Sequence, residues 1–385
     1  MFRLVLLLSL GPFLDGFFTI LSSILVSEYV HQTLQPELLT EALLAVSFMG
    51  GTFIGSGFVA QQADQWGRQL FIRTLLPLCI PCLLIAFYFP STLCYILSLA
   101  LCGILVGADQ PVALALLTEM SPETVRERNL SAMMTGWYIG ALVGVSLYSV
   151  FIAWNLSNTL FFLLGAMGIA LFIPGRYRLQ ESHAWQGQHT RMPLLWLIQK
   201  HGRSWLFCFV FWLCQTIPVT ILMIYAPDLV RSLVGDVNPD VTLGVLYTGF
   251  FLGTLPMNRQ SFASRPAGVL LLTAIIIAFT LWGLTLSSAM SAPVVIGLVA
   301  LYAIAYGMQS TLDYVFPNIL FPTYCRAYAT GTLLSATRLG SLLTLFLFPW
   351  MYRNVSITYL LIAGGGIALL GGLILLIKPR KPIES

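Results

Sequence analysis

Charge is what this 385-residue chain has least of: Asp, Glu, Lys and Arg make up 9% of it, against roughly a quarter of a soluble globular domain. With 58% hydrophobic residues beside so few charges, a soluble domain is excluded, and the net charge of +4 carries no suggestion of nucleic acid. Histidine is scarce too. His31, His183, His189 and His201 all fall between apolar runs, so no nucleophile and base stand together and an intramembrane enzyme is not expected. No glycine-rich loop ends in Gly-Lys-Ser/Thr, which excludes an ATP-driven motor on this chain. The seven cysteines, Cys79, Cys82, Cys94, Cys102, Cys208, Cys214 and Cys325, are scattered. Cys79 and Cys82 have metal-ligand spacing, but Pro77 and Pro81 share their apolar run and no second pair or histidine accompanies them. Packing is their expected role, and no cofactor or metal is expected anywhere in the chain.

What fills the chain instead is a succession of twelve apolar stretches, at roughly 3–27, 38–61, 70–89, 92–118, 129–153, 157–175, 204–226, 241–257, 266–287, 291–315, 327–351 and 355–377. Each approaches the ~20 residues that a helix needs to cross a bilayer. Basic residues fall almost entirely in alternate gaps: Arg3, Arg68, Arg73, Arg126, Arg128, then Arg176, Arg178, Arg191, Lys200 and Arg203, then Arg259, Arg265, Arg326, Lys378, Arg380 and Lys381. Only Arg231 and Arg353 lie in the opposite gaps. The positive-inside bias then puts both termini in the cytoplasm. Met1–Leu10 has the look of a signal-peptide core, but Asp15 interrupts the run and no small-x-small cleavage site follows, so it is read as the first span. The longest hydrophilic stretch divides the chain into an N-terminal six-helix bundle (1–175), a cytoplasmic linker (176–203), a C-terminal six-helix bundle (204–378) and a short tail (379–385). The expected fold class is an all-α membrane protein, a monomer in the lipid bilayer.

Three charges sit where lipid should exclude them. Counting ~1.5 Å per residue from the basic gaps, Asp15 lies roughly 18 Å above Arg3, Asp109 roughly 15 Å above Glu119 and Arg338 roughly 18 Å above Arg326. Charges at that depth cost several kcal/mol, so they are expected to face a partner or water and to serve a function. Gly11, Asp15, Phe18 and Ser22 share one helix face, and Tyr302, Tyr306, Gln309 and Asp313 form a polar stripe on the tenth span. Phe211, Trp212 and Gln215 add an aromatic and polar patch on the seventh. Aromatic area with a few directional polar tips suits a small organic solute, so Asp15, Trp212, Gln215, Tyr302, Tyr306, Gln309 and Arg338 are the candidate substrate-binding residues. Asp15, with Asp109 as its rival, is the expected proton carrier, because a carboxyl group out of water can load and unload a proton as its cavity turns from one side to the other. A static pair between Asp109 and Arg338 is the structural alternative. On the second span, Ser47, Gly51 and Gly55 make a flat face for sliding or for tight packing.

The loops carry motifs that resemble those of the major facilitator superfamily, in its sugar-porter-like and metabolite:proton symporter branch. Asp64-Gln65-Trp66-Gly67-Arg68 is similar to the D-R-x-G-R loop, and Glu119-x-x-Pro122-Glu123-x-x-Arg126 to the E-x-x-P-x-x-x-R segment. Glu181-Ser182-His183-Ala184-Trp185 resembles E-S-P-R-W. In the second half, Pro317-Asn318-Ile319-Leu320-Phe321-Pro322-Thr323-x-x-Arg326-Ala327, then Gly331 and Arg338-x-Gly340, resembles P-E-x-F-P-T-x-x-R-A-x-G and R-x-G. Asp15-Gly16 and Gly107-Ala108-Asp109-x-Pro111 also look like that branch. The resemblance implies alternating access by two rocking six-helix bundles, gated on the basic side by Asp64, Gly67, Arg68, Glu119, Arg126 and Arg326. Departures are Ala60 for Gly, Gln69 for a base, Glu127 for Gly, Asn318 for Glu, and a loop around Asn258 and Arg259 that has lost the motif. The Gln-rich sugar-porter signature is missing around Gln215, and Trp137 to Val150 lacks the Gly-Pro pattern of drug antiporters.

The expected function is therefore secondary active transport of a small polar organic metabolite by proton symport across a bacterial inner membrane. An organic acid is favoured because Arg338 is the fixed positive charge at depth. A multidrug/proton efflux antiporter and a sugar transporter are the alternatives.

Overall fold

The computed structural model describes residues 1–32, 38–185, 193–234, 239–287 and 290–377. His189, Arg191, Lys378 and the tail Pro379–Ser385 lie outside the described residues, as do the side chains of His31, Arg231 and Arg353. Among the described residues the regular structure is helical throughout. The first half holds α1 (Phe2–Leu8), α2 (Leu10–Gln32), α3 (Leu38–Ile54), α4 (Ala60–Trp66), α5 (Arg68–Thr74), α6 (Cys79–Tyr88), α7 (Thr92–Met120), α8 (Arg126–Ala153) and α9 (Leu160–Tyr177). After the linker come α10 (Leu194–Val234), α11 (Pro239–Met257), α12 (Gln260–Ala263), α13 (Pro266–Leu284), α14 (Ala292–Ser310), α15 (Leu312–Leu320), α16 (Arg326–Asn354) and α17 (Ile357–Leu373).

Eight stretches among the described residues are long and apolar enough to cross a membrane: Phe2–Val26, Leu39–Trp66, Arg68–Tyr88, Thr92–Met120, Glu123–Ala153, Leu160–Tyr177, Pro266–Leu284 and Pro293–Leu320. Gly244–Met257 and Ile357–Leu373 are shorter apolar helices. The expected seventh and eleventh spans fall in α10 and α16, parts of whose side chains lie outside the described set. Lipid-facing sides are legible in the exposure pattern. Leu93, Leu97 and Leu101 recur every four residues on α7 and are all exposed, as are Leu271, Ile275 and Phe279 on α13. In water such stripes would be aggregation surfaces; in a bilayer they are solvated. Every residue of α7 from Val106 to Thr118 is buried, so this part of the helix is enclosed on all sides.

Small residues set how closely the helices cross, which matters where lipid gives no hydrophobic drive to association. Gly51 and Gly55 lie directly on the Ala100 and Ile104 carbonyls of α7, and Gly103 lies on the Phe48 carbonyl of α3. The small-residue face of the second span is therefore a tight helix contact within the first half. Gly16 and Gly140 bring α2 and α8 together in the same way, and Gly253 and Gly307 do so for α11 and α14. Gly140→Val would drive a side chain into the Phe13 carbonyl, and overpacking of this kind costs about 1–3 kcal/mol. Its melting temperature in detergent is expected to fall clearly below that of Gly366→Val, whose added Cβ meets nothing within 4 Å; equal melting of the two would contradict the close crossing.

The two halves of the sequence meet mainly where α16 packs on α3, α4 and α7 and where α8 packs on α11, with α15 reaching both α7 and α8. At the first, a π-helical turn at Gly55–Val59 follows α3. There the Phe53 carbonyl accepts from Ser335 Oγ at 3.0 Å, and Gly331 packs on the Ser56 carbonyl. At the second, Thr135 donates to Thr254 at 3.0 Å, and beside it Tyr138 of α8 donates to Ser310 Oγ at the end of α14 at 2.9 Å.

Candidate functional site

Asp15 stands on α2 where that helix packs against α7 and α8, and its side chain is buried. Its Oδ2 accepts from Gln110 Nε2 at 2.8 Å and from Trp137 Nε1 at 2.9 Å. The same oxygen forms an ion pair with Arg338 Nη2 of α16. Three helices of the first half and one of the second therefore converge on one carboxylate. Asp15 Oδ1 finds no hydrogen-bond partner, and the Arg338 side chain remains 18% exposed. The charge pair thus borders accessible space at the meeting of the two halves.

Asp109 does not pair with Arg338. Its Oδ1 is 2.6 Å from Arg176 Nη2 on the last turn of α9, with both side chains buried. Sequence position had placed Arg176 among the linker bases, but α9 runs on to Tyr177 and carries it into the helical layer. Gly11 of α2 covers Asp109 Oδ2, leaving no room for a side chain there. Asp109 and Gln110 are neighbours about 100° apart around α7; one serves the Arg176 pair and the other the Asp15 cluster.

On the facing side, α14 and α15 join at Thr311, whose φ of -63 and ψ of -25 keep the tenth span helical through the join. Gln215 of α10 spans this join. With its amide oriented to suit its neighbours, its oxygen accepts from Ser310 N at 3.0 Å and its nitrogen donates to Asp313 Oδ1 at 2.7 Å and Oδ2 at 3.1 Å. Beside this chain stands an aromatic wall. Tyr302 and Tyr306 stack at 6.2 Å, Tyr306 meets Phe250 at 4.9 Å, and Tyr138 and Tyr247 meet Phe250 at 5.7 and 5.9 Å. Trp137 reaches Tyr247 at 6.4 Å and so joins the wall to the Asp15 cluster. Tyr302 Oη is buried without a hydrogen-bond partner. Trp212 is not part of this wall; it lies in a separate core with Phe207, Phe211 and Phe316. Gln309 is buried on α14.

At the basic end, a charge network ties the halves together. Arg68 Nη2 is 2.9 Å from Asp64 Oδ1 and 3.0 Å from Glu119 Oε1, and it donates to the Thr323 carbonyl of the second half at 2.9 Å. Arg326 Nη1 approaches Glu119 at 3.5 Å, and Tyr328 N donates to Asp64 Oδ2 at 2.8 Å. Arg126, expected here, stands apart: it makes a 3.9 Å contact with exposed Glu123, three residues away. Arg326 of the second half is the base that shares Glu119 with Arg68. Gly67 adopts φ +97, the left-handed region that favours glycine, and Glu181 Oε2 lies against it. The Glu181 carboxylate also accepts from Arg68 N at 3.1 Å and Gln69 N at 2.9 Å, the first free donors of α5. Trp185 Nε1 donates to the Asp64 carbonyl at 2.8 Å.

An apolar cavity of about 350 Å³ lies elsewhere, lined by Ile139, Leu142, Val143, Ser146, Leu147, Val150 and Phe251. Its single hydroxyl gives it little power to orient a polar solute.

A family model described as Major Facilitator Superfamily matches residues 8–331. The chain belongs to that superfamily. Among curated relatives of this facilitator is the putative metabolite transport protein YaaU of Escherichia coli (strain K12), 29% identical over 97% of this chain and 90% of that protein. The inner membrane metabolite transport protein YgcS of the same organism is 25% identical over 83% of this chain and 79% of its own length. Among solved structures, the proton:xylose symporter XylE bound to 6-bromo-6-deoxy-D-glucose superposes with a TM-score of 0.80 at 17% identity, covering 98% of this chain and 96% of that one. The human organic anion transporter MFSD10 gives 0.77 at 12% identity, covering 97% and 99%. At these identities the structural matches speak for the fold alone.

Several residues that build the facilitator's interior were not singled out from sequence. Gln110 was hidden by Asp109 beside it. Trp137 and Tyr138 were not weighed either, although the flanking Gly136 and Gly140 mark the close crossing that brings Trp137 to Asp15. Asp313 appeared as one member of a stripe, and its acidic character went unweighted.

Proposed function

We propose that this facilitator is a secondary active transporter that takes a small polar metabolite into the cell with protons, by alternating access of two six-helix bundles with twelve spans. The observation that carries this reading is the Asp15–Arg338 ion pair. It joins the first half to the second, so its making and breaking bias a two-state equilibrium between arrangements of the halves. An ionised Asp15 ties α2 to α16; a protonated one releases Arg338. Proton binding and helix movement are then one event. The network of Asp64, Arg68, Glu119, Thr323 and Arg326 closes the basic end here, which suits a resting state with the inner gate shut. A bacterial inner membrane, both termini in the cytoplasm and a monomeric carrier complete the reading.

For the substrate, a neutral polyhydroxylated solute of sugar size receives the better support. The Arg338 charge on which the organic-acid expectation rested is neutralised by Asp15 in this state. The relatives named for metabolites suit either class, and the fold is shared with both a xylose symporter and an organic anion transporter. An organic acid is the second reading, favoured by the residual exposure of Arg338; it would bind once Asp15 is protonated. The test uses proteoliposomes loaded with a pH dye and offered a panel of pentoses, hexoses and monocarboxylates. A symported solute acidifies the lumen on entry. Lumenal alkalinisation on solute entry would instead mark an antiporter and overturn the reading.

The gate carries its own prediction. Glu119→Gln weakens both Arg68 and Arg326 contacts, so the population should move towards the state open at the basic end. In a cysteine-free background, Ser335→Cys, placed beside Phe53 at the α3–α16 contact, is expected to label several-fold faster from that side when Glu119→Gln is added. An unchanged labelling rate would remove Glu119 from the gate.

A further inference from the structure

One acidic side chain of the interior has no basic partner among the described residues. Asp15 and Arg338 neutralise each other, and Asp109 and Arg176 do the same one helix face away. Asp313 is left over. Among the described residues no cationic side chain pairs with it; its partner is the neutral amide of Gln215, both of whose polar atoms are committed, one to Asp313 and one to Ser310 N. Asp313 is nevertheless partly accessible, like Tyr306, Trp137 and Arg338. It stands two residues past Thr311, where α15 continues the tenth span.

Its surroundings suit a positive guest. Tyr306 lies seven residues before Asp313, two helical turns away on the same face, and its partly accessible ring is backed by the buried rings of Tyr302 and Phe250. From Asp313 a hydrogen-bonded chain runs through Gln215 and Ser310 to Tyr138 of the first half, so the carboxylate is fixed at the end of an ordered polar row. Aromatic faces attract ammonium groups through their quadrupoles, and a carboxylate without a counter-ion supplies the charge they lack. A metal ion is less well served, because no cluster of three acidic, cysteine or histidine side chains exists among the described residues.

We propose that Asp313 and the tyrosine wall form an ammonium-recognising subsite, and that the cargo of this carrier is a small hydroxylated amine. This rests on the reading of the chain as a proton-coupled metabolite transporter, and it departs from the neutral solute favoured there by giving the hydroxylated cargo an ammonium group. Gln215 is a positioning residue: it aims the carboxylate without meeting the cargo.

The experiment is thermal stabilisation of the purified full-length protein by matched probes: ethanolamine against ethylene glycol, and choline against its neutral isostere 3,3-dimethylbutan-1-ol. A ligand that binds the folded state raises its melting temperature. The two cations are expected to raise it by several degrees at millimolar concentration, and the neutral isosteres are not. Asp313→Asn should abolish the shift, whereas Asp313→Glu, which keeps the charge, should retain part of it. Equal shifts by cation and isostere, no shift by either cation, or a full shift in Asp313→Asn would each overturn the proposal. The comparison on the unaltered chain needs no variant, so it stands even if Asp313→Asn fails to fold. Failure here leaves proton-driven uptake untouched, because that reading is tested separately by solute-driven acidification.

Discussion

Asp15→Asn is expected to abolish uphill uptake while leaving downhill exchange of solute intact. With an imposed gradient of about two pH units, one-for-one symport can hold solute about 100-fold more concentrated inside, since each unit supplies about 1.4 kcal/mol. An uncoupled carrier stops at equal concentrations, so the predicted loss is the whole of that factor. The asparagine can still accept from Gln110 and Trp137, whose bonds to Asp15 are 2.8 and 2.9 Å. What it cannot do is ionise, and Arg338 then has no opposite charge. Because that side chain keeps some exposure, the damage to folding should be smaller than for a fully buried base. Uptake in proteoliposomes with and without the gradient, read beside the melting temperature, separates lost coupling from lost structure. A folded Asp15→Asn protein that still accumulates solute would end the assignment.

The second large effect is on stability. Asp109→Ala should destabilise the protein by about 3–5 kcal/mol, because it leaves the buried Arg176 guanidinium without its partner. Arg176 Nε and Nη1 already lack hydrogen-bond partners, so nothing nearby can take over. Removing both charges together, as Asp109→Leu with Arg176→Met, should restore most of the loss, since apolar residues of similar volume often replace a buried ion pair at little cost. Thermal unfolding in detergent reads both. If the double variant folds and still accumulates solute under a proton gradient, Asp109 is structural and Asp15 alone carries the proton. If it folds but loses accumulation, the assignment moves to Asp109.

Much of the architecture was legible because lipid imposes a simple rule: a helix must be long and apolar, and its flanks betray the side they face. Asp15 and Arg338 were legible for the complementary reason, as charges that lipid should exclude. Partner choice was not. Asp109 and Arg338 sit at similar depths on different spans, and periodicity cannot say which way two helices turn towards each other. Arg176 escaped because hydropathy ends a span where charges begin, whereas hydrogen bonding carries α9 two residues further, to Tyr177. Arg126 shows the reverse error: motif position suggested a place in the gate, but the turn at Glu123–Val125 leaves it beside Glu123 while Arg326 arrives from the other half. Trp212 and Gln215 share a helix face, yet they separate into an apolar core and a polar bridge, a distinction set by what α15 presents to each.

Glu181 and Trp185 are fastened to Asp64, Arg68 and Gln69, so the start of the connector is a fixed part of the first half. Any division of this polypeptide into two co-expressed pieces must therefore fall beyond Trp185. A cut made at the end of α9, where hydropathy alone would put it, would strip the clasp from the inner gate along with the loop.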